Sequence, residues 1–300
     1  MVQHRPVIAT LLTLSVLLAP GAGAAEDRSF QILAVGELSG AMVPMRCAKE
    51  PGAATTYAHL AARLAASRDE APTLTVLSGG LLGDDPFSRY LATRGAAATR
   101  RLDDLLAYAA LDAAVPGTGE FSLPGGHSVP LLSQLSEGAV PYGALNIECP
   151  ATDAPLCRAL LQRGVRIHTV AGLRIAVLSL IGPGTVASAD PRNMDHTAIL
   201  DPAKTATEAA ARLRAAGEAD LIVALVNVDS EADAPTGAVA FARAAAGVDL
   251  VVAGLGRNLN GRAGLDLIRF DGGQRFLVGV APGVDPLTRI RVHVTARENG

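Results

Sequence analysis

Short apolar runs alternate with alanine-rich segments of helical periodicity along most of the chain. The runs predict buried β-strands at residues 30–35, 73–77, 113–115, 142–146, 174–180, 221–226 and 249–253, because each is short and bounded by turn-forming residues. Apolar positions three and four residues apart predict helices at residues 55–66, 98–109, 203–216 and 238–246. This repeated alternation predicts an α/β fold whose sheets are flanked by helices.

The pattern changes in two places. Residues 265–270, 275–280 and 288–294 alternate apolar and polar side chains, which predicts antiparallel strands near the C-terminus. Residues 182–202 follow neither period and are the long irregular stretch of the sequence. A stretch of this kind is either a loop that covers a site or a surface excursion.

The N-terminus has the three-part layout of a secretory signal peptide. Arg5 precedes an apolar run at 6–18, and Ala22-Gly23-Ala24 supplies the small residues of a cleavage site. The run has about 13 apolar residues, fewer than the ~20 that a membrane-spanning helix needs. We therefore predict that residues 1–24 are a signal peptide cleaved between Ala24 and Ala25. The mature chain is then a single periplasmic or secreted domain at residues 25–300, without a membrane span.

Charge and aromatic content exclude several kinds of partner. The chain has 26 Lys and Arg against 29 Asp and Glu, a formal net charge of −3. It therefore lacks the basic excess of proteins that bind nucleic acid or anionic membranes. Aromatic residues make up 3% of the chain and Trp is absent, so base-stacking surfaces are not expected. A protein partner and a small anion remain.

The three cysteines favour one disulfide. Cys149 and Cys157 lie close together in sequence, and an exported protein folds in an oxidising compartment. Cys47 is then left over, either buried and inert or a reactive thiol. The spacing of the three matches no zinc-binding pattern.

Five turns follow predicted strands, at residues 36–40, 78–85, 116–122, 227–230 and 254–258, and all but 227–230 contain glycine. In folds of this class, ligands bind at the carboxyl ends of the strands. The turns read GELSG at 36–40, SGGLLGDD at 78–85, GTGEFS at 117–122, LVN at 225–227 and GLGR at 254–257, with GALN at 143–146 between them. In this order they resemble the motif blocks of the calcineurin-like metallophosphoesterases, specifically the secreted 5′-nucleotidase branch. The resemblance implies a sandwich of two mixed β-sheets flanked by helices.

The resemblance does not extend to the residues that carry the family's chemistry. The family's metal ligands and its transition-state histidine correspond to Glu37, Ser39, Leu81, Thr118, Gly119, Asn227, Leu255 and Arg257. None of these is the family residue, and Glu37 alone is a carboxylate. Two neighbouring divalent cations need a bridging anion, which Leu81 cannot supply, and Arg257 places a permanent positive charge where a cation sits in the family. We therefore expect no metal cofactor and no catalytic residues.

Two roles for the altered site remain open. Arg257 pairs with Glu37 in an internal salt bridge, or Arg257 and Asn227 bind a small anion without converting it. On either reading the chain is an inactive member of the fold, a pseudoenzyme with a binding or scaffold role.

Two other functions are alternatives. One is an active phosphoester or nucleotide hydrolase with a rebuilt single-metal site, using Glu37, Asp84, Asp85 or His196, with His127 a further conceivable ligand. The other is a thiol-handling accessory that uses Cys47. Fold alone does not decide among these functions.

Overall fold

Two β-sheets lie face to face, with helices on their outer sides. The computed structural model describes residues 27–38, 40, 57–83, 85–94, 100, 103–104, 106–149, 155–194, 197–228, 235–254, 267–280, 282–283 and 287–296, and the backbone of 11–18. This arrangement confirms the predicted α/β fold with two mixed sheets flanked by helices.

Within the described part of the chain, the first sheet has five strands in the order β1-β13-β2-β3-β4. Their bounds are Leu11–Leu18 for β1, Arg28–Val35 for β2, Thr73–Ser78 for β3, Ala113–Val115 for β4 and Thr288–Ala296 for β13. Strands β2, β3 and β4 are parallel, so their carboxyl ends lie at one edge. Strand β13 is antiparallel to β2, and β1 is parallel to β13.

The second sheet has six strands in the order β11-β12-β10-β9-β7-β6. Their bounds are Val165–Val170 for β6, Leu173–Ile181 for β7, Leu221–Asn227 for β9, Leu250–Gly254 for β10, Leu267–Phe270 for β11 and Arg275–Val280 for β12. The four central strands are parallel, and β6 and β11 are antiparallel strands at the two edges. Strands β5 (Ile147–Glu148) and β8 (Ala198–Ile199) form a separate small pair.

Helices connect the strands and cover the outer faces. They are α1 (Tyr57–Arg68), α2 (Pro86–Arg94), α3 (Thr118–Ser122), α4 (Ser128–Glu137), α5 (Pro155–Leu160), α6 (Pro183–Val186), α7 (Pro191–Met194), α8 (Pro202–Ala215) and α9 (Ala238–Ala244). The start of α8 shows why a helix begins there. Asp201 accepts hydrogen bonds from the backbone N–H groups of Ala203 and Lys204, and Pro202 occupies the first turn.

Strand β9 illustrates how the core is built. All seven of its residues are buried. Val223 and Leu225 belong to the cluster between the sheets, whereas Ile222 and Ala224 belong to the cluster under α8 and α9. A parallel strand covered on both faces is apolar at successive positions, which explains why β9 is an unbroken apolar run.

Two predicted elements differ from the structure. Residues 142–146 are not a strand: Tyr142 forms an isolated bridge with Ala114, Gly143 N–H donates to Ala114, and Leu145 N–H donates to Ser179 of β7. The segment therefore passes from the first sheet to the second, and it cannot pair continuously with either. Residues 182–202 are not irregular throughout, because they contain α6, α7 and β8. Within the helix predicted at 98–109, the described residues 100, 103–104 and 106–107 are helical, and residues 98–99, 101–102 and 105 lie outside the described part of the chain.

The N-terminal segment contributes an edge strand. Strand β1 comes from the predicted signal peptide and pairs with β13 from Leu11↔Arg289 to Leu18↔Ala296. The signal peptide itself and the export of the protein stay predictions. Among the described residues, no helix is both long enough and apolar enough to cross a membrane.

Candidate functional site

The carboxyl ends of parallel strands from both sheets meet at one edge, where folds of this class bind ligands. We call this region the turn cluster: residues 36–40 after β2, 78–85 after β3, 116–122 after β4, and the strand ends Asn227 and Gly254. Hydrogen bonds join its turns directly. Leu38 N–H donates to the carbonyl oxygen of Gly80 over 2.6 Å, and Gly40 N–H donates to that of Leu81 over 3.0 Å.

Two glycines allow the turn backbones to touch. A Cβ atom on Gly117 would overlap the backbone nitrogen of Gly80, which joins the turns after β3 and β4. A Cβ atom on Gly254 would overlap the carbonyl oxygen of Ser78, which brings the ends of β10 and β3, from different sheets, together. Glycine is required at both positions because any side chain would separate the backbones.

Asn227, at the end of β9, links three elements through its side chain. It is 3% exposed. Its Nδ2 donates to the carbonyl oxygen of Ser78 over 3.4 Å, and its Oδ1 accepts from the hydroxyl of Thr185 in α6 over 3.0 Å. The same hydroxyl also donates to the Asn227 carbonyl over 2.7 Å. The amide thus holds β9, β3 and α6 together, although the sequence predicted it as a candidate anion ligand.

Glu120 is a buried carboxylate that the sequence analysis did not select. It is 0% exposed, and it accepts from Leu82 N–H and Gly117 N–H over 2.9 Å each and from the Tyr142 hydroxyl over 2.7 Å. Burial raises the pKa of Glu120 to about 7, although these hydrogen bonds oppose the shift. Glu120 therefore joins the turns after β3 and β4. The signal that pointed to it was the GTGEFS block, in which it counted only as a flanking match.

The positions that correspond to family ligands have other surroundings here. Leu81 is fully buried in the core. Thr118 begins α3, and a Cβ atom on Gly119 would overlap the Leu82 carbonyl oxygen. Glu37 is half-buried, and its side chain lies against Gly80 and Gly117. Ser39, Leu255 and Arg257 lie outside the described residues, and so does the Glu37–Arg257 salt bridge that the sequence suggests.

Asp85 has a structural role at the start of α2. Its Oδ1 accepts from Phe87 N–H over 2.8 Å and from Ser88 N–H over 3.1 Å, and its Oδ2 accepts from the Ser88 hydroxyl. These contacts are those of a helix N-cap. Of the other alternative metal ligands, Asp84 and His196 lie outside the described residues, and His127 is exposed at the start of α4.

The segment after β7 packs over this region, which favours the covering role that the sequence left open for it. In addition to the contact of Thr185, Asn193 of α7 is fully buried. Its Nδ2 donates to the carbonyl oxygens of Phe121 and Leu123, and its Oδ1 accepts from Ser128 N–H. The amide ties α7 to the turn after β4.

Cys149 and Cys157 are joined by a disulfide, with their Cα atoms 6.2 Å apart. The bond connects the residue after β5 to α5, and Cys157 is buried in the main core. Cys47 lies outside the described residues.

The described positions do not fit the two-metal centre that the fold family implies. Leu81 has no ligating atom, and the side-chain oxygen of Asn227 already accepts a hydrogen bond. Among the described residues, there is no group of three or more His, Cys, Asp and Glu side chains that could hold a metal ion. We derive no reaction step through a metal.

Solved structures with the same fold include 5′-nucleotidases and calcineurin-like phosphoesterases. A putative 5′-nucleotidase from Staphylococcus aureus matches with a TM-score of 0.66 and 16% identity, covering 88% of this chain and 50% of that one. A calcineurin-like phosphoesterase from Bacillus subtilis matches with a TM-score of 0.64 and 18% identity, covering 87% and 83%. A 5′-nucleotidase precursor from Thermus thermophilus matches with a TM-score of 0.60 and 19% identity, covering 84% and 48%.

These similarities establish the fold. The chain spans about half the length of the two nucleotidases it matches. No protein-family model matches the sequence, and no curated protein matches it either. The sandwich implied by the resemblance is confirmed, and the activity carried on it is a separate question.

Proposed function

We propose that this chain, which has the calcineurin-like phosphoesterase fold, is an exported protein without phosphoesterase activity that acts by binding a protein partner or a small anion. Asn227 carries the proposal. It stands where the family has a metal-binding histidine, and both ends of its amide are engaged in holding β3, β9 and α6 together. A side chain whose amide oxygen and nitrogen are both hydrogen-bonded within the protein stabilises the fold and does not bind a reacting group.

The neighbouring positions support the same conclusion. Leu81 stands where the family has its bridging aspartate, and it packs in the core between the sheets. Without a bridging anion, the repulsion between two adjacent divalent cations is not offset. Asp85, one of the candidate ligands of the rebuilt-site alternative, has both oxygens engaged in capping α2. Of the other candidates, Glu37 and His127 lie among the described residues, and Asp84 and His196 lie outside them.

Metal content and hydrolysis test the proposal together. The mature protein is incubated with Mn²⁺, Zn²⁺ and Fe²⁺, desalted and analysed by elemental mass spectrometry, beside an active 5′-nucleotidase treated identically. We expect less than about 0.1 metal per chain and no hydrolysis of phosphodiester or nucleotide substrates. One or two tightly held metals with turnover would overturn the proposal. A Glu37→Gln variant that lost such a metal would assign it to the rebuilt site.

Export is tested separately. The signal-like N-terminus supports it, and so does a disulfide between Cys149 and Cys157, because disulfides persist in oxidising compartments. We expect the mature protein in the periplasmic or secreted fraction, with N-terminal sequencing beginning at Ala25. Cleavage there removes β1 and makes β13 the edge of the first sheet. A cytoplasmic protein that still carries residues 1–24 would contradict this part of the proposal.

A further inference from the structure

A second polar region lies on edge strand β6, away from the turn cluster. Arg166 pairs in register with Val177 of β7, and His168 pairs with Ile175. Strand β7 reaches the turn cluster only at Ile181, so His168 lies about 20 Å from that end at the rise of a strand. We call the region around Arg166 and His168 the β6 flank.

The two side chains lie on the same face of β6. Alternate residues of a strand point to the same side, and the next residue in that series, Val170, belongs to the core cluster between the sheets. Arg166 and His168 are each only partly exposed. Their side chains therefore point to the side of β6 that faces the first sheet, where Asp112 lies just before β4.

Each of these side chains has a nitrogen that is shielded from solvent and lacks a hydrogen-bond partner within the described part of the chain. The atoms are Nε of Arg166 and Nε2 of His168. The Nε–H group of arginine is always a donor, since the guanidinium does not lose its proton in proteins. Buried donors in native proteins are nearly always paired with protein or ordered water, so the Arg166 donor points to a missing acceptor, and His168 Nε2 becomes a second donor to it when the imidazole is protonated.

The charges around the pair favour an anionic acceptor. Burial lowers the pKa of Arg166, and nearby Arg163 lowers it further. Burial also lowers the pKa of His168. Asp112 opposes this shift, whereas Arg166 adds to it. Asp112 faces Arg68 as well, and its Oδ2 accepts from the backbone of β3. The carboxylate that faces His168 is thus already engaged, while the charged neighbour of Arg166 is a second arginine, Arg163.

We propose that the β6 flank binds a small inorganic oxyanion, such as phosphate or sulfate, between the side chains of Arg166 and His168. An oxyanion supplies acceptors to both shielded nitrogens, and it places negative charge where the arginines outnumber the carboxylates. Nε2 of His168 donates to the anion when the imidazole is protonated. Bound anion therefore favours the imidazolium, and binding strengthens as the pH falls through the histidine range. The site shares no residue with the turn cluster, so its test does not depend on the absence of phosphoesterase activity.

Isothermal titration of the mature protein with phosphate and with sulfate tests this site, at about pH 6 and at about pH 8. For sulfate, whose charge is the same at both pH values, we expect saturable binding with a dissociation constant at or below about 1 mM at the lower pH, and binding about tenfold weaker at the higher pH. Phosphate loses a proton of its own in this range, so it tests saturable binding at each pH but not the pH dependence. Arg166→Met should weaken binding at least tenfold. The matched control Arg212→Met, at an exposed position on α8, should leave it unchanged.

A second variant and a second measurement distinguish loss of the oxyanion site from loss of folding. If Arg166→Met does not fold by circular dichroism, Arg166→Lys replaces it, since lysine keeps the charge but lacks the Nε–H donor. NMR titration of the histidines should show a rise in the pKa of His168 when phosphate is present. Absence of saturable binding overturns the site and indicates that water pairs with the two nitrogens. Binding that survives in Arg166→Met but is lost in Arg257→Ala also overturns it, and assigns the anion to the turn cluster.

Discussion

In the turn cluster, buried Glu120 and Asn227 have partners on several sides, whereas Arg166 and His168 on the β6 flank each have a shielded nitrogen without one among the described residues. Both regions are polar, and sequence position alone favours the turn cluster as the binding site. The hydrogen-bond partners favour the β6 flank as the binding site instead. A polar group that is fully paired within the protein stabilises the fold, and one that is buried without a partner indicates a ligand or water.

The largest effect is expected from Glu120→Ala. The substitution leaves the N–H groups of Leu82 and Gly117 and the hydroxyl of Tyr142 without their acceptor in a buried space. We expect a loss of about 4 kcal/mol in the free energy of unfolding, measured by urea denaturation. Glu208→Ala, at an exposed position on α8, is the matched control and should change stability by less than about 0.5 kcal/mol. Equal effects of the two substitutions would show that Glu120 does not hold the turns.

A smaller loss is expected from Gly254→Ala, because the new Cβ atom must push the end of β10 away from Ser78 of β3. We expect a cost of about 3 kcal/mol in the same denaturation experiment. Gly217→Ala is the comparison. Gly217 has φ +62° and no atom within 4 Å of an added Cβ, so only backbone strain of about 1 kcal/mol applies. If Gly217→Ala cost as much as Gly254→Ala, tight packing of the turn backbones would not be the cause.

The protonation of Glu120 predicts a pH dependence. Its pKa is raised in the folded state, from 4.5 to about 7, so between these values the folded protein holds a proton that the unfolded chain has released. The contribution to stability is therefore fully present below pH 4.5 and is lost as the pH rises to about 7. We expect a decrease on the order of 2 kcal/mol across this window. Glu120→Gln should remove that part of the slope; an unchanged slope would assign the effect to other groups.

The smallest effect on stability is expected from Arg166→Met on the β6 flank. The substitution removes a shielded donor that has no partner among the described residues and keeps most of the apolar stem. We expect a change within about 1 kcal/mol of zero, because no hydrogen bond is lost. Denaturation in oxyanion-free buffer gives this value, with Arg212→Met as the control. A loss as large as that of Glu120→Ala would mean that Arg166 is paired in solution and would remove the contrast between the two regions.

The sequence predicts the central strands well, because parallel strands covered on both faces must be apolar at successive positions. It also predicts α8, because apolar positions recur at helical spacing over 203–216, and the structure places the helix at Pro202–Ala215. It wrongly predicts a strand at 142–146. Hydrophobicity there reflects burial, but the backbone of Gly143 bonds to the first sheet and that of Leu145 to the second. The local hydrophobic pattern indicates that a segment is buried, but it does not indicate which strand the backbone of that segment bonds to.

The sequence by itself determined the α/β architecture and the positions of the glycine turns, because periodicity and residue identity are local properties. The replacement of the ligands that the resemblance implies stays a prediction. Only the tertiary structure distinguished buried polar groups that are paired within the protein from shielded ones that lack a partner among the described residues. Glu120 was only a flanking residue in a motif until Leu82, Gly117 and Tyr142 were brought to it from separate elements. His168 belongs to none of the sequence motifs, and only the fold shows that its Nε2 is shielded and unpaired within the described residues. Hydrogen bonding between distant segments decides both roles, and it exists only once the chain has folded.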